Sequence, residues 1–245
     1  MKTVLSRMRS AIQKYDMIKE HDRIAVGISG GKDSMVLLAG LNRLKSFYPI
    51  QFEIVGVTLD PMFGGIETDY SDISRFCEDN SIEYVIKRTD IFQVASTTDD
   101  NSPCSLCAKL RRGILHNTAI ELKCNSVALG HHLDDAAETF FMNLLDGGRV
   151  GCFSPKTYLS VKNLTLIRPM IFLYEKEIVR CKNKLELPVV KSKCPVDGHT
   201  ERAKIKALVR DLEHKYPALR QKIIGAMQKD CVSDWNFTNQ AKTVE

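Results

Sequence analysis

The sequence lacks the features that mark membrane, secreted and repeat proteins. Its 245 residues contain no apolar run near the ~20 residues that a membrane-spanning helix needs. Residues 1–18 carry basic side chains throughout and no long apolar core, so they do not match a secretory signal. No internal repeat, low-complexity tract or proline-rich linker divides the chain. We therefore expect a cytoplasmic globular protein with no membrane attachment, and the composition, 44% hydrophobic and 27% charged, is ordinary for that class.

A disulfide framework is not expected either, although the chain has eight cysteines. The cytosol keeps thiols reduced, so clustered cysteines are better explained by metal binding or catalysis. Cys104 and Cys107 form a C-x-x-C at the head of a predicted helix. The spacing leaves three uses open: a thioredoxin-type redox pair, a zinc site completed by Cys194 and His199, or an iron–sulfur cluster that takes one further cysteine. Cys152 is a candidate sulfur carrier.

Short apolar runs alternate with helical patterns along the chain. The predicted strands are residues 23–28, 52–58, 83–87, 126–129 and 165–168. Besides an amphipathic N-terminal helix, the predicted helices are residues 33–46, 68–80, 104–123, 134–145 and 174–186. This order predicts an α/β protein with a doubly wound, mostly parallel, Rossmann-like sheet and added N- and C-terminal helices. Ligands bind such sheets beyond the carboxyl ends of the strands, where the strand order reverses.

The first predicted strand runs into a glycine turn that opens a helix. The turn consists of Ser29, Gly30, Gly31, Lys32, Asp33 and Ser34. Glycines let the backbone approach a phosphate, and the unpaired N–H groups of a helix N-terminus attract anions. A Walker A loop is excluded because only three residues separate Gly27 from Gly31 and because Asp33 stands where that loop has a hydroxyl. The glycine spacing also excludes the dinucleotide fingerprint G-x-G-x-x-G. A βα turn without a ligand is the alternative.

A second turn of the same kind follows the fourth predicted strand. It contains Gly130, His131, His132, Asp134 and Asp135. Either aspartate could cap the next helix. Two adjacent carboxylates opposite a phosphate loop repel each other unless a cation lies between them, which predicts a Mg²⁺ ion that bridges phosphates. The two histidines leave the strand on opposite sides, so joint metal ligation by this pair is not expected.

Positive charge is concentrated towards the C-terminus. Residues 191–229 contain ten basic and four acidic side chains, a net charge of +6, while the whole chain carries +5. Such an asymmetry is typical of contact with a phosphate backbone and favours RNA binding, with a solvated helix face as the alternative. Lys109, Arg111 and Arg112 add positive charge beside the C-x-x-C.

These motifs resemble those of a known enzyme family. The hexapeptide SGGKDS resembles the pyrophosphate loop of the N-type ATP pyrophosphatases, or PP-loop enzymes, and GHHLDDAAET resembles their second signature, which Glu138 and Thr139 complete. The resemblance implies an adenine nucleotide alpha hydrolase-like fold and transfer of AMP from ATP to an oxygen of the substrate. The C-x-x-C, the following LRRG and the late C-P-x-D-G-H-T make nearly the whole chain similar to the tRNA 2-thiocytidine synthetase (TtcA) family.

Membership of that family would imply ATP-dependent thiolation of a cytidine in the tRNA anticodon loop. The resemblance implies a 4Fe–4S cluster held by Cys104, Cys107 and Cys194, with one iron left open for sulfur. The residues expected to bind ATP with Mg²⁺ are Ser29, Gly30, Gly31, Lys32, Asp33, Ser34, Gly130 and His131. The residues expected to be catalytic are Asp33, Ser34, Asp134, Asp135 and Arg111.

The same reading sets expectations for organisation and partners. Residues 1–190 would form the ATP-binding domain, and residues 191–245 a basic helical extension that carries the third cluster cysteine. The expected partners are tRNA, a sulfur donor (sulfide or the product of a cysteine desulfurase) and a second copy of the chain in a homodimer. Two alternatives stay open: a cluster-dependent tRNA 2-thiouridine synthase, and a zinc-stabilised RNA-binding module without catalytic activity.

Overall fold

The computed structural model describes residues 1–91, 103–191, 194 and 201–237, with only the backbone described at 103–105 and 201. Its six strands form one sheet in the order β3-β2-β1-β4-β6-β5, in which only β5 and β6 pair antiparallel. The strands are β1 (Asp22–Ile28), β2 (Phe52–Asp60), β3 (Glu83–Arg88), β4 (Ser126–Ala128), β5 (Lys156–Leu159) and β6 (Leu164–Ile167).

Helices cover both faces of this sheet. In the described ranges they are α1 (Lys2–Lys14), α2 (Lys32–Lys45), α3 (Ser71–Asp79), α4 (Pro103–Glu121), α5 (Leu133–Leu145), α6 (Glu175–Lys184), α7 (Glu201–Lys215) and α8 (Leu219–Lys229). The prediction of a doubly wound, mostly parallel sheet with added terminal helices is confirmed. None of the described helices is long and apolar enough to cross a membrane.

Two apolar layers hold the helices on the sheet. One face of β1 packs with α1 and α2 through side chains such as Met8, Ile24 and Leu37, which are fully buried. The other face packs on α4 through Leu115 and Ala119. Each large apolar side chain that is removed from water contributes about 1.5–3 kcal/mol, so these layers fix the strand ends that carry the polar turns.

The secondary structure differs in two places from that predicted from the sequence. The strand β5 was not predicted, because it is a four-residue edge strand with an exposed Tyr158 and therefore has no clear alternation. The helix predicted from residue 68 begins at Ser71, because the side chain of Asp60 accepts hydrogen bonds from the backbone N–H and the hydroxyl of Thr68. Residues 61–70 therefore form a loop beyond the end of β2.

The C-terminal part packs directly on the rest of the chain. Helices α7 and α8 both contact α5. Trp235, which is fully buried, donates a hydrogen bond from its indole to the carbonyl of Phe153 and accepts one on its own carbonyl from Tyr15. The division into 1–190 and 191–245 stays a prediction about organisation, and these contacts mean that the two parts share a core.

The strand order reverses between β1 and β4. The chain continues from β1 to β2 on one side and later adds β4 on the other, so the turns after β1 and β4 lie side by side. Both polar motifs of the sequence therefore meet at the switch point, the position at which parallel α/β sheets bind their ligands.

Candidate functional site

The turn after β1 is built to leave backbone exposed to a ligand. Gly30 has a left-handed φ of +83°, and a Cβ atom there would lie 3.2 Å from Cβ of Val190. Gly31 caps α2 with no side-chain hydrogen bond, so the first N–H groups of the helix stay available to an anion. The hydroxyl of Ser34 donates to the carbonyl of Gly31 (2.9 Å) and accepts from the N–H of Ser29 (3.2 Å), which closes the turn.

This turn forms one wall of a cavity of about 450 Å³. The polar lining comes from Ser29, Gly31, Lys32, Asp33, Thr68, Arg111, Lys191 and Cys194. The apolar lining comes from Leu59, Pro61, Phe63, Tyr70 and Val190. Three cations and one carboxylate give the lining of the cavity a net positive charge, which favours a polyanion. The apolar part of the lining favours a planar base. The cavity also joins the glycine turn to Arg111 and Cys194, which belong to the cysteine motifs.

Lys32 and Asp33 carry the charges at the turn itself. The Lys32 ammonium lies 3.2 Å from Asp33 Oδ2 and 3.0 Å from Glu175 Oε1. Burial lowers the pKa of Lys32, but the two carboxylates outweigh it and raise that pKa above its usual value. The other oxygen of Asp33, Oδ1, is buried without a hydrogen-bond partner. An unpaired carboxylate oxygen beside an anion site has the chemistry of a Mg²⁺ ligand.

His132 connects the two turns. It is 4% exposed and caps α5, with its backbone N–H donating to Asp135 Oδ2 at 2.9 Å. Its ring lies 3.7 Å from Asp33 Oδ1, 3.6 Å from Asp134 Oδ2 and 3.4 Å from Asp135 Oδ2. Burial lowers the pKa of His132, but these three carboxylates together raise it above its usual value.

Sequence reasoning missed His132 as a site residue because it considered the histidine pair only as metal ligands. The one available signal was the spacing of His132 and Asp135, which matches a capping box with unusual residue types.

Asp134 and Asp135 lie behind Asp33 rather than in the cavity wall. Asp134 Oδ2 accepts a hydrogen bond from the backbone of Glu175 at 2.7 Å, and Oδ1 lies 3.0 Å from Nε of Arg220. Asp135 Oδ1 lies 3.1 Å from Nη1 of Arg202. Burial raises the pKa of Asp134, but its bonds to His132 and Glu175 lower it overall. The charge of this pair, which suggested a bridging Mg²⁺, is thus balanced by protein cations in the structure.

Gly130 and His131 hold the second turn against the first. A Cβ atom on Gly130 would lie 3.3 Å from the backbone of both Asp33 and Ser34, so a larger residue would require the two turns to move apart by a few tenths of an ångström. His131 is packed on Phe153 and accepts a hydrogen bond on Nδ1 from Nε of Arg168 at 3.2 Å. Because arginine can only donate, the ring must be neutral with its proton on Nε2. Burial and then Arg168 lower the pKa of His131 to about 4.

The structure places part of the predicted cysteine triad at the cavity. Cys194 lines it, and Cys107 is half-buried on α4, four residues before Arg111 and therefore on the same helix face. The side chain of Cys104 and all of His199 lie outside the described residues. Within the described ranges no three His, Cys, Asp or Glu side chains lie close enough to hold a metal ion. The thiol of Cys194 in the cavity wall and that of Cys107 on the helix face of Arg111 fit a cluster in donor chemistry, and the triad stays a prediction.

Cys152, the candidate sulfur carrier, is in an environment that disfavours a thiolate. Burial raises the pKa of its thiol to about 12, and the sulfur donates to the carbonyl of Ala136. A thiol that stays protonated is a poor nucleophile, so the structure gives no support to a carrier role.

The basic C-terminal segment divides into two sets of side chains. Arg202, Lys206 and Arg220 pair with Asp135, Glu175 and Asp134 respectively, and of these three cations only Arg220 is largely buried. The exposed set contains Lys191, Lys204, Arg210, Lys215, Lys222 and Lys229, of which Arg210 lies 3.6 Å from the carboxylate of its neighbour Asp211.

Comparison with known proteins identifies the family to which this site belongs. A profile of the PP-loop domain matches residues 2–212. The tRNA-cytidine(32) 2-sulfurtransferase of Dechloromonas aromatica is 36% identical over 225 residues, which cover 91% of this chain and 78% of the relative. This chain belongs to the PP-loop family of tRNA-cytidine(32) 2-sulfurtransferases. The Geobacter sulfurreducens member is 34% identical over 92% of this chain and 89% of the relative.

A solved structure extends this family assignment to the fold. The U34-tRNA thiolase NcsA from Methanococcus maripaludis, determined with its 4Fe–4S cluster, superposes with a TM-score of 0.75 at 26% identity. The match covers 93% of this chain and 77% of NcsA. The PP-loop resemblance and the fold class predicted from the sequence are therefore confirmed.

Proposed function

We propose that this PP-loop protein is an ATP-dependent tRNA sulfurtransferase that converts a cytidine of the anticodon loop, cytidine 32 in its relatives, into 2-thiocytidine. The observation that carries the proposal is the single cavity that joins the glycine turn to Arg111 and Cys194. A site for ATP alone would not need a half-buried cysteine in its wall. The names of the relatives support the choice of tRNA and of cytidine.

The glycine turn would hold the phosphates of ATP. The open N–H groups at the start of α2 and the Lys32 ammonium face the cavity, where they can carry the charge of the departing pyrophosphate. Asp33 Oδ1, the oxygen without a partner, would bind Mg²⁺. Asp134, Asp135 and Ser34 would then act by shaping the turn, through their bonds to the backbone of Glu175, the side chain of Arg202 and the carbonyl of Gly31 respectively.

The chemistry needs ATP because the carbonyl oxygen of a pyrimidine is a poor leaving group. That oxygen attacks the α-phosphorus, pyrophosphate leaves, and the base carries an O–AMP group. Sulfur then attacks the activated carbon, the C–O bond breaks, and AMP leaves. Arg111, a cation in the cavity wall, would stabilise negative charge on the transferred phosphate.

Cys104, Cys107 and Cys194 would hold the 4Fe–4S cluster, which when bound keeps sulfide nucleophilic near the base. Cys194 brings this donor set to the wall that also contains Lys32 and Asp33. The apolar residues Tyr70 and Phe63 of the same cavity can hold a flat base, which an anticodon loop presents unstacked.

The exposed basic side chains of α7 and α8 would contact the tRNA backbone. The remaining expectations belong to this proposal as well: action in the cytoplasm, a sulfur donor that is sulfide or the product of a cysteine desulfurase, and assembly as a homodimer.

The test is thiolation by the anaerobically purified and reconstituted protein, supplied with ATP, Mg²⁺, sulfide and unmodified tRNA. Mass spectrometry of the digested tRNA should show 2-thiocytidine, and AMP should form in equal amount. Asp33→Ala should form neither product. 2-Thiouridine in place of 2-thiocytidine would favour the uridine synthase. A colourless protein that holds one zinc and releases no pyrophosphate would favour the RNA-binding module.

A further inference from the structure

Arg220 belongs to α8, the last described α-helix, yet its side chain ends inside the site. Its Nε atom lies 3.0 Å from Asp134 Oδ1, and its Nη1 donates to Glu213 at 2.6 Å. The side chain of Arg220 is 14% exposed and that of Asp134 11%. A cation predicted to lie on an RNA-binding surface is thus buried against the second motif.

The exposed fraction of its side chain distinguishes Arg220 from the two cations of α7 that pair with Asp135 and Glu175. Arg202 is 42% exposed in its pair with Asp135, and Lys206 is 51% exposed in its pair with Glu175. Solvent screens such pairs, and each contributes little. Removing one partner of a buried pair leaves the other charge uncompensated, which is far more disruptive. Among these three cations, Arg220 is therefore the one whose replacement should disturb the site most.

Asp134 links Arg220 to the glycine turn through a series of contacts. Its second oxygen fixes the start of α6 through the N–H of Glu175, and it also lies beside Nδ1 of His132. The opposite ring nitrogen of His132 lies 3.7 Å from Asp33 Oδ1, the buried oxygen without a hydrogen-bond partner on a residue that lines the cavity. A continuous row of contacts thus runs from Arg220 through Asp134 and His132 to Asp33.

The contact between Arg220 and Asp134 is electrostatic rather than a directed hydrogen bond. Nε of Arg220 is buried and makes no hydrogen bond, although it lies at ion-pair distance from the carboxylate. A lysine ammonium at the same position would preserve such a contact, since it depends on charge and not on the planar fork of arginine.

We propose that Arg220 is a positioning residue of the site, which holds Asp134 and, through it, His132 behind Asp33. Helix α8 then has a role in catalysis as well as in the basic surface. This inference rests on the proposed function, because its readout is the formation of AMP and thiolated tRNA.

The experiment compares Arg220→Met, Arg220→Lys and the wild type under the thiolation assay. Arg220→Met should lower kcat about 100-fold, the loss typical of a small misplacement of reacting groups. The KM for ATP should change less than about threefold, because Arg220 does not line the cavity. Arg220→Lys should recover most of kcat. The tRNA affinity and its salt dependence should not change, because Arg220 offers no surface charge.

Two further variants separate positioning from helix packing. Glu213→Gln removes the other partner of Arg220 and should leave kcat unchanged. Arg75→Met removes an arginine from an exposed ion pair with Asp72 on α3 and serves as the matched control. Equal losses in Glu213→Gln and Arg220→Met would mean that α7–α8 packing alone matters and would overturn the inference.

Three other results are decisive. Full kcat in Arg220→Met would refute the positioning role. Weaker tRNA binding with a flatter salt dependence would make Arg220 a phosphate contact instead. A wild-type protein that forms no AMP would refute the proposed function and this inference with it, whereas an active wild type with unaffected variants refutes the inference alone.

Discussion

The two glycines of the turn after β1 allow folding and ligand binding to be separated. Gly30 has a left-handed φ of +83°, and a Cβ there would meet Val190 at 3.2 Å. Gly31 has an extended conformation (φ −79°, ψ 163°), and a Cβ there would meet only the Ser29 hydroxyl, at 3.4 Å. Gly31 nevertheless lines the cavity. The substitutions Gly30→Ala and Gly31→Ala should therefore damage different properties.

The expected magnitudes follow from these geometries. A non-glycine residue in the left-handed region costs roughly 1–2 kcal/mol, so Gly30→Ala should lower Tm by about 2–8 °C in a chain of this size. Gly31→Ala places a methyl group in ordinary contact, so the Tm should stay within about 2 °C. That methyl group occupies the surface that a phosphate must approach, and we expect ATP to bind at least about tenfold more weakly, or 1.4 kcal/mol.

The assay pairs thermal unfolding without nucleotide with calorimetric titration of ATP and Mg²⁺ for both variants and the wild type. Gly30→Ala should lower both the Tm and the affinity for ATP, whereas Gly31→Ala should lower the affinity for ATP alone. Wild-type ATP affinity in Gly31→Ala would show that phosphate does not approach this turn, and the assignment of the PP-loop as the nucleotide site would be wrong. An unchanged Tm in Gly30→Ala would refute the requirement for a left-handed residue.

Three further predictions concern charge, pH and sulfur. Charge reversal at Lys204 and Arg210 should weaken tRNA binding and flatten its log–log salt dependence by roughly 0.7–0.9 per lost phosphate contact, as measured by filter binding. His131 has a pKa lowered to about 4, so its contribution to stability is complete above its ordinary pKa of 6.5 and is lost as the pH falls towards 4. His131→Gln should remove about 3 kcal/mol of that pH dependence in urea unfolding. Cys152→Ala should keep both the cluster iron and thiolation, whereas Cys194→Ala should lose both. Iron analysis measures the first property, and mass spectrometry of the digested tRNA measures the second.

The parts of the site that the sequence could predict are those that depend on short, continuous stretches of residues. Glycines at Gly30 and Gly130 mark turns after apolar strands, and parallel strands bring their carboxyl ends to one edge, so the two turns had to meet. Local patterns also set the helix that carries Cys107 and Arg111, which share a face because they are four residues apart.

The parts that could not be predicted depend on contacts between distant segments. Nothing near Arg220 in the sequence indicates that it lies beside Asp134, because that pairing follows from how α8 packs on α5. The same holds for Arg168, which meets His131 only because β6 lies next to β4 in the sheet. His132 was missed for a related reason: its importance comes from three carboxylates that two separate turns bring around it.

The net charge of the C-terminal segment therefore overstates the surface that it can offer to RNA. Of its ten basic side chains, Arg202, Lys206 and Arg220 are paired with Asp135, Glu175 and Asp134. A phosphate backbone can compete for the exposed Arg202 and Lys206 but gains little from the buried Arg220. Helices that contact the tRNA with one face and pair with Asp134 and Asp135 through the other would place the substrate and the site in a fixed relation. Truncation of these helices should then abolish adenylation even where ATP still binds.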